Sequence, residues 1–136
     1  MIMTKQPMPK VDIEKTKTLL LLFDGTLRFI QNAKQGITEN NFRLKSENIS
    51  KVIAILTQLD CALDKNIGGE LANNLSELYQ YMMKRLTHAN INDDSAAIED
   101  VEKILCDLKD GFNGAAKKIE ATNENIGEER GLRIDY

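Results

Sequence analysis

Tryptophan is absent from this chain of 136 residues, histidine occurs once, and cysteine and proline occur twice each. Each scarcity excludes something. His88 is the whole imidazole supply, and Cys61 and Cys106 lie far apart outside any Cys-x-x-Cys pair, so a dedicated zinc centre has no ligand set. A di-iron helical bundle needs two Glu-x-x-His motifs and further inward glutamates, which one histidine cannot supply. No cofactor and no metal are expected. The two cysteines read as incidental reduced thiols of a cytoplasmic protein. Pro7 and Pro9 sit near the start, so nothing from Lys10 onward forbids helix except scattered glycines. The longest apolar run, Leu19 to Phe23, is far too short to span a bilayer, and Met1-Ile2-Met3-Thr4-Lys5 lacks the apolar stretch of a secretory signal. A net charge of −3 and a pI near 5.2 leave no electrostatic footprint for nucleic acid or an anionic membrane.

What is present is helical periodicity. With 42% hydrophobic and 29% charged residues the chain has the composition of a soluble globular protein. Leu19, Leu22, Phe23, Leu27, Ile30, Ala33 and Ile37 recur on one face of a helix that begins between Asp12 and Thr18 and ends near Ile37. Asn40 or Asn41 can cap the next helix, about 42–66, whose stripe is Ile49, Val52, Ile53, Leu56, Leu59, Leu63 and Ile67. Gly68 supplies a left-handed end, and Gly68-Gly69 carries no phosphate-loop pattern. The third helix, about 70–90, turns Leu71, Ala72, Leu75, Leu78, Tyr79, Met82, Leu86 and Ala89 inward, and Asp93 or Asp94 caps the fourth. That helix, about 95–122, presents Ile98, Val101, Ile104, Leu105, Leu108, Phe112, Ala115, Ala116 and Ile119, with fraying or a bend expected after Phe112 because of Gly111 and Gly114. The pattern predicts an all-α, antiparallel up-and-down four-helix bundle over 12–122, with a flexible N-terminal segment at 1–11 and a flexible C-terminal tail at 123–136.

Several apolar residues miss these stripes. Leu21 lies nearly opposite the apolar centre of the first helix. Leu44 and Ile55 sit on a flank of the second, and Tyr81 and Met83 on opposite sides of the third helix's stripe. Grooves that accept a partner's amphipathic helix, wider core packing and self-association all account for such a set. His88 raises a different reading, a four-helix phosphotransfer domain with an exposed histidine as phospho-acceptor. It is followed by Ala89, Asn90 and Ile91 as its helix ends, without the lysine one turn onward that such domains carry, and reads as a plain surface histidine near a helix C-terminus.

The ordered series Leu22-Phe23-Asp24-Gly25-Thr26-Leu27-Arg28-Phe29, then Gly68-Gly69-Glu70, Asn74-Leu75, Leu78-Tyr79 and Tyr81-Met82, with Phe112 beyond, resembles the flagellar export chaperones of flagellin, the FliS family. The resemblance marks Phe23, Asp24, Gly25, Gly68, Gly69, Glu70, Leu75 and Tyr79 as motif positions. It implies a non-enzymatic cytoplasmic chaperone that binds the disordered C-terminal segment of flagellin, prevents premature polymerisation and keeps the subunit competent for type III flagellar export. Ile55, Leu44, Tyr81, Met83 and Leu21 are then the groove candidates, on a monomer or a swapped homodimer. The export gate is a second implied partner. The tyrosines that such chaperones carry in the N-terminal peptide are missing here, since none precedes Tyr79, so no gate-docking residue is assigned.

Overall fold

The computed structural model describes the backbone of residues 13–134 and the side chains of 17–114 apart from Lys65. The expected segment 1–11 lies outside the described residues, as do the side chains of Ala115, Ala116 and Ile119. Four helices follow one another: α1 (Ile13–Thr38), α2 (Phe42–Cys61), α3 (Lys65–Asn92) and α4 (Ser95–Ile134), with no strand among the described residues. The chain divides into two compact units, one of Phe23–Asp107 and one of the flanking segments.

Within Phe23–Asp107 the antiparallel order is set by which ends touch. Asn32 of α1 donates to Asn48 of α2 at 3.3 Å, Ser46 of α2 donates to Asn90 of α3 at 3.0 Å, and Lys34 of α1 pairs with Glu102 of α4 at 3.0 Å. In each case the late part of one helix meets the early part of the other. Phe23, Ile30, Ile49, Val52, Leu56, Met82, Leu86, Ile98, Val101 and Leu105 form the buried core. Their spacing is the three-and-four repeat that the expected stripes share.

The turns show why the helices stop where they do. Asn40 adopts φ 55 and Asn41 caps α2, its side chain accepting from Leu44 N at 3.0 Å. Asp93 takes φ 52 at the end of α3, and Asp94 caps α4 through Ala97 N at 3.2 Å. Asparagine and aspartate tolerate the left-handed region because their short polar side chains bond locally.

Three boundaries differ from the periodicity. α2 ends at Cys61 rather than near 66, because Asp64 caps a new helix by accepting from Asn66 N at 3.0 Å and Ile67 N at 3.2 Å. The left-handed glycine is Gly69, not Gly68: its φ 54, ψ −128 kinks α3, a conformation open essentially to glycine alone. α4 remains helical past Phe112 and past 122 through Ile134. Gly111 and Gly114 border open space, and a cost of about 1 kcal/mol each does not interrupt a long cooperative helix.

In the flanking unit, residues 13–22 and 108–134 are helical, Leu21 is 70% exposed and Phe112 is half-buried.

One cation is buried where the two turns of the Phe23–Asp107 unit come together. The Lys45 side chain donates to the Asn90 carbonyl at 2.9 Å and to the Asp93 carboxylate, and its ammonium stands 4.8 Å from the centroid of the Phe42 ring. The residue is 3% exposed. Gly36 of α1 packs against the same place, where an added Cβ would lie 2.5 Å from Lys45 N and 2.8 Å from its Cα. That neighbour is backbone and cannot swing aside. Gly36→Ala should therefore force α1 and α2 apart and destabilise by about 1–3 kcal/mol. Gly25→Ala, whose nearest neighbour is the Arg28 side chain at 3.7 Å, should be neutral or slightly stabilising. Lys45→Met keeps the stem but removes the charged donor from Asn90 and Asp93, and should cost about 1–3 kcal/mol. Urea unfolding checks all three, read as a shift in midpoint at unchanged slope.

Candidate functional site

The structure distributes the groove candidates over several helix seams instead of gathering them in one. Leu44 and Ile55 share a stripe of α2 with Asn48 and Lys51, at successive offsets of four, three and four. Asn48 reaches Asn32, and the Lys51 ammonium stands 5.2 Å from the Phe29 ring centroid, so this stripe borders α1. Both Leu44 and Ile55 are half-buried there. Met83 lies on the other side of α2: its sulfur is 3.3 Å from the Thr57 hydroxyl, which also donates to Ile53 O at 2.8 Å. Tyr81 points toward α4. Its hydroxyl donates to Asp100 at 2.6 Å, while Arg85 Nε lies 3.3 Å from the same carboxylate oxygen in an oblique ion pair, and the tyrosine stays 45% exposed. Leu21 stands apart in the flanking unit.

The motif positions differ in exposure. Phe23 and Tyr79 are buried, Asp24, Gly25 and Leu75 are half-buried, and Gly68, Gly69 and Glu70 form the exposed corner after α2. A Cβ on Gly68 would meet Ala72 Cβ at 2.6 Å, which explains a second glycine beside the kink.

That corner holds an apolar cleft, and two of its residues were expected in the core. Ile67 is 85% exposed and Leu71 is 68% exposed. α2 ends before Ile67 and the chain kinks at Gly69, so neither side chain continues the buried stripe of its own hairpin. Together with Leu63, Asp64, Gly68, Ala72 and Leu75 they line a cavity of about 260 Å³. Periodicity marks a residue as facing the bundle axis, but it does not reveal whether the neighbouring helix extends that far. A second, smaller cavity of about 90 Å³ lies at the opposite end of the α2–α3 hairpin, beside Gly36, Phe42, Lys45 and Asp93. Phe42 and Ile91 are exposed at that end.

His88 is exposed near the end of α3, its ring nitrogens 3.1 Å from the Asp94 carboxylate and 3.2 Å from the Asn92 amide. Cys61 and Cys106 are exposed thiols. Among the described residues no three His, Cys, Asp or Glu side chains converge as a metal site would require, and no helix is long and apolar enough to cross a membrane.

The fold and its seams thus define an all-α bundle that leaves aliphatic side chains uncovered between and beyond its helices. The family described as flagellar protein FliS matches residues 11–119. The flagellar secretion chaperone FliS of Salmonella typhimurium is 38% identical over 99 residues, covering 72% of this chain and 73% of the relative. That of Bacillus subtilis is 35% identical over 96 residues, 71% of each chain. Flagellar secretion chaperone FliSB of Pseudomonas aeruginosa is 35% identical over 103 residues, 76% of this chain and 82% of its own. The chain belongs to the FliS family.

Two tyrosines report on this region spectroscopically. Burial, reinforced by the nearby Asp60 carboxylate, raises the Tyr79 phenol above its ordinary 10.0. The hydrogen bond to Asp100, then burial and the carboxylate's charge, raise Tyr81. Because both folded values exceed the unfolded one, their contribution to stability is complete below the unfolded value of 10.0 and is lost as pH rises through the folded values. In Tyr136→Phe, alkaline titration should show tyrosinate absorbance appearing at higher pH in native protein than in urea, and coincident curves would contradict this arrangement.

Proposed function

We propose that this chain is a cytoplasmic chaperone of flagellar secretion that binds flagellin. On this reading it holds the disordered C-terminal segment, prevents premature polymerisation and leaves the subunit competent for type III export, with the export gate as a second partner. It performs no catalysis. The observation that carries the reading is membership of the FliS family in a chain whose apolar side chains are left uncovered at several seams.

The physics of such binding suits the distribution of those seams. A disordered segment pays its ordering cost on binding and in return can wrap a large surface, with affinity held moderate enough for release. Leu44 and Ile55 at the α1 flank, Met83 at the α2–α3 seam and Tyr81 beside α4 are then contacts along one wrapped segment, with Leu21 of the flanking unit a weaker candidate by itself. No single pocket is required. The imidazole of His88 has its place among the side chains that close the α3–α4 turn.

Ile55 provides the test, because it lies off the core stripe and is half-buried. Ile55→Asp should weaken binding of a flagellin C-terminal peptide by roughly 1–3 kcal/mol in calorimetry while leaving helicity by circular dichroism unchanged. Unfolding of the variant would make Ile55 a core residue. A folded variant with unchanged affinity would remove the α2 flank from the binding surface.

A further inference from the structure

The cleft at the α2–α3 corner is apolar in its lining and acidic in its surroundings. Residues 58–77 carry four carboxylates, Asp60, Asp64, Glu70 and Glu77, and one basic residue, Lys65. Asp64 lines the cleft itself. Glu70, Asn74 and Glu77 are exposed at helical offsets of four and three, forming a polar stripe beside Leu71 and Leu75. Asp60 lies four residues before Asp64, in the last turn of α2, close enough to act on the Tyr79 phenol, and adds a further carboxylate to this side of the corner.

We propose that this cleft takes an amphipathic helix of a partner polypeptide whose apolar ridge is flanked by lysine or arginine. The occupant follows from charge complementarity. A second copy of this chain would bring these carboxylates against their own equivalents, and an anionic lipid surface or a nucleic acid would meet the same repulsion. The wall brings together Leu63 from the connection, Ile67 before the kink and Leu71 and Leu75 after it, an aliphatic cleft of the kind that receives the apolar face of a helix. The proposal rests on the chaperone reading only in taking the occupant to be a polypeptide.

Two synthetic amphipathic peptides test it, identical in their apolar face and flanked by lysines in one and glutamates in the other. Fluorescence anisotropy with the full chain should show the lysine-flanked peptide binding about tenfold tighter at low salt. The ratio should fall toward one at about 1 M salt, where charges are screened within a few ångströms. Asp60→Asn with Glu70→Gln and Glu77→Gln should abolish the preference, and Leu71→Asp or Ile67→Asp, both at exposed positions, should weaken both peptides. Equal binding at low salt, failure of the lysine-flanked peptide to bind, a preference unchanged by the three carboxylate-to-amide substitutions, or dimerisation blocked by Leu71→Asp would each overturn the proposal. A flagellin C-terminal peptide is the separate probe. If it binds while the lysine preference is missing, the acidic cleft falls and the chaperone reading stands. If it fails to bind while the preference holds, the reverse is true.

Discussion

Everything at one end of the Phe23–Asp107 unit depends on the buried Lys45 ammonium. An unpaired cation there would be costly, so its partners are constrained with it: the Asn90 carbonyl at the end of α3, the Asp93 carboxylate in the following turn, and the Phe42 ring face above. The last carbonyls of a helix carry partial negative charge, which makes the end of α3 a favourable place for an ammonium. The two left-handed turn residues, Asn40 and Asp93, flank the same small cavity. A single side chain thus ties the start of α2 to the α3–α4 connection, and Gly36 allows α1 close enough to complete the arrangement.

The opposite corner is built on another principle. The α2–α3 connection has a capping aspartate and a kinked glycine, and Ile67 and Leu71 face solvent. Along residues 62–71 bonds such as Leu63 N to Asp60 O, Gly68 N to Asp64 O and the Asp64 cap are local, whereas those of the Lys45 ammonium reach from one helix to the end of another. The bundle pairs a polar, closely tied end with an apolar, uncovered one.

Helix number, type and order were legible in the sequence because the aliphatic residues repeat at helical spacing through long segments with few breakers. Phe42 begins α2 as expected, and Asn41 provides the cap. The end of α2 was misplaced because Leu63 and Ile67 continue its stripe numerically. The competing signal was Asp64, a strong capping residue followed by a new helical turn. Lys45 falls on the apolar stripe that runs through Ile49, Val52 and Leu56, so a charged residue in a core register was the available clue to the buried cation. The site was less legible. Distance from a stripe identified Leu44, Ile55, Tyr81 and Met83 as flank residues, but which seam each borders depends on the neighbouring helix, and that information is absent from any one segment. The family motif and the periodicity agree at Phe23 and Tyr79, which are buried, and at the paired glycines, which stand at a real corner.

The kink at Gly69 separates two kinds of evolutionary constraint. Side chains around Lys45 are interlocked, so a change at one position obliges changes at others. Ile67 and Leu71 contribute little to the core, and exchanging one aliphatic residue for another there leaves the fold nearly untouched. The corner can therefore exchange aliphatic side chains at little cost to the fold, while the positions around Lys45 can change only together.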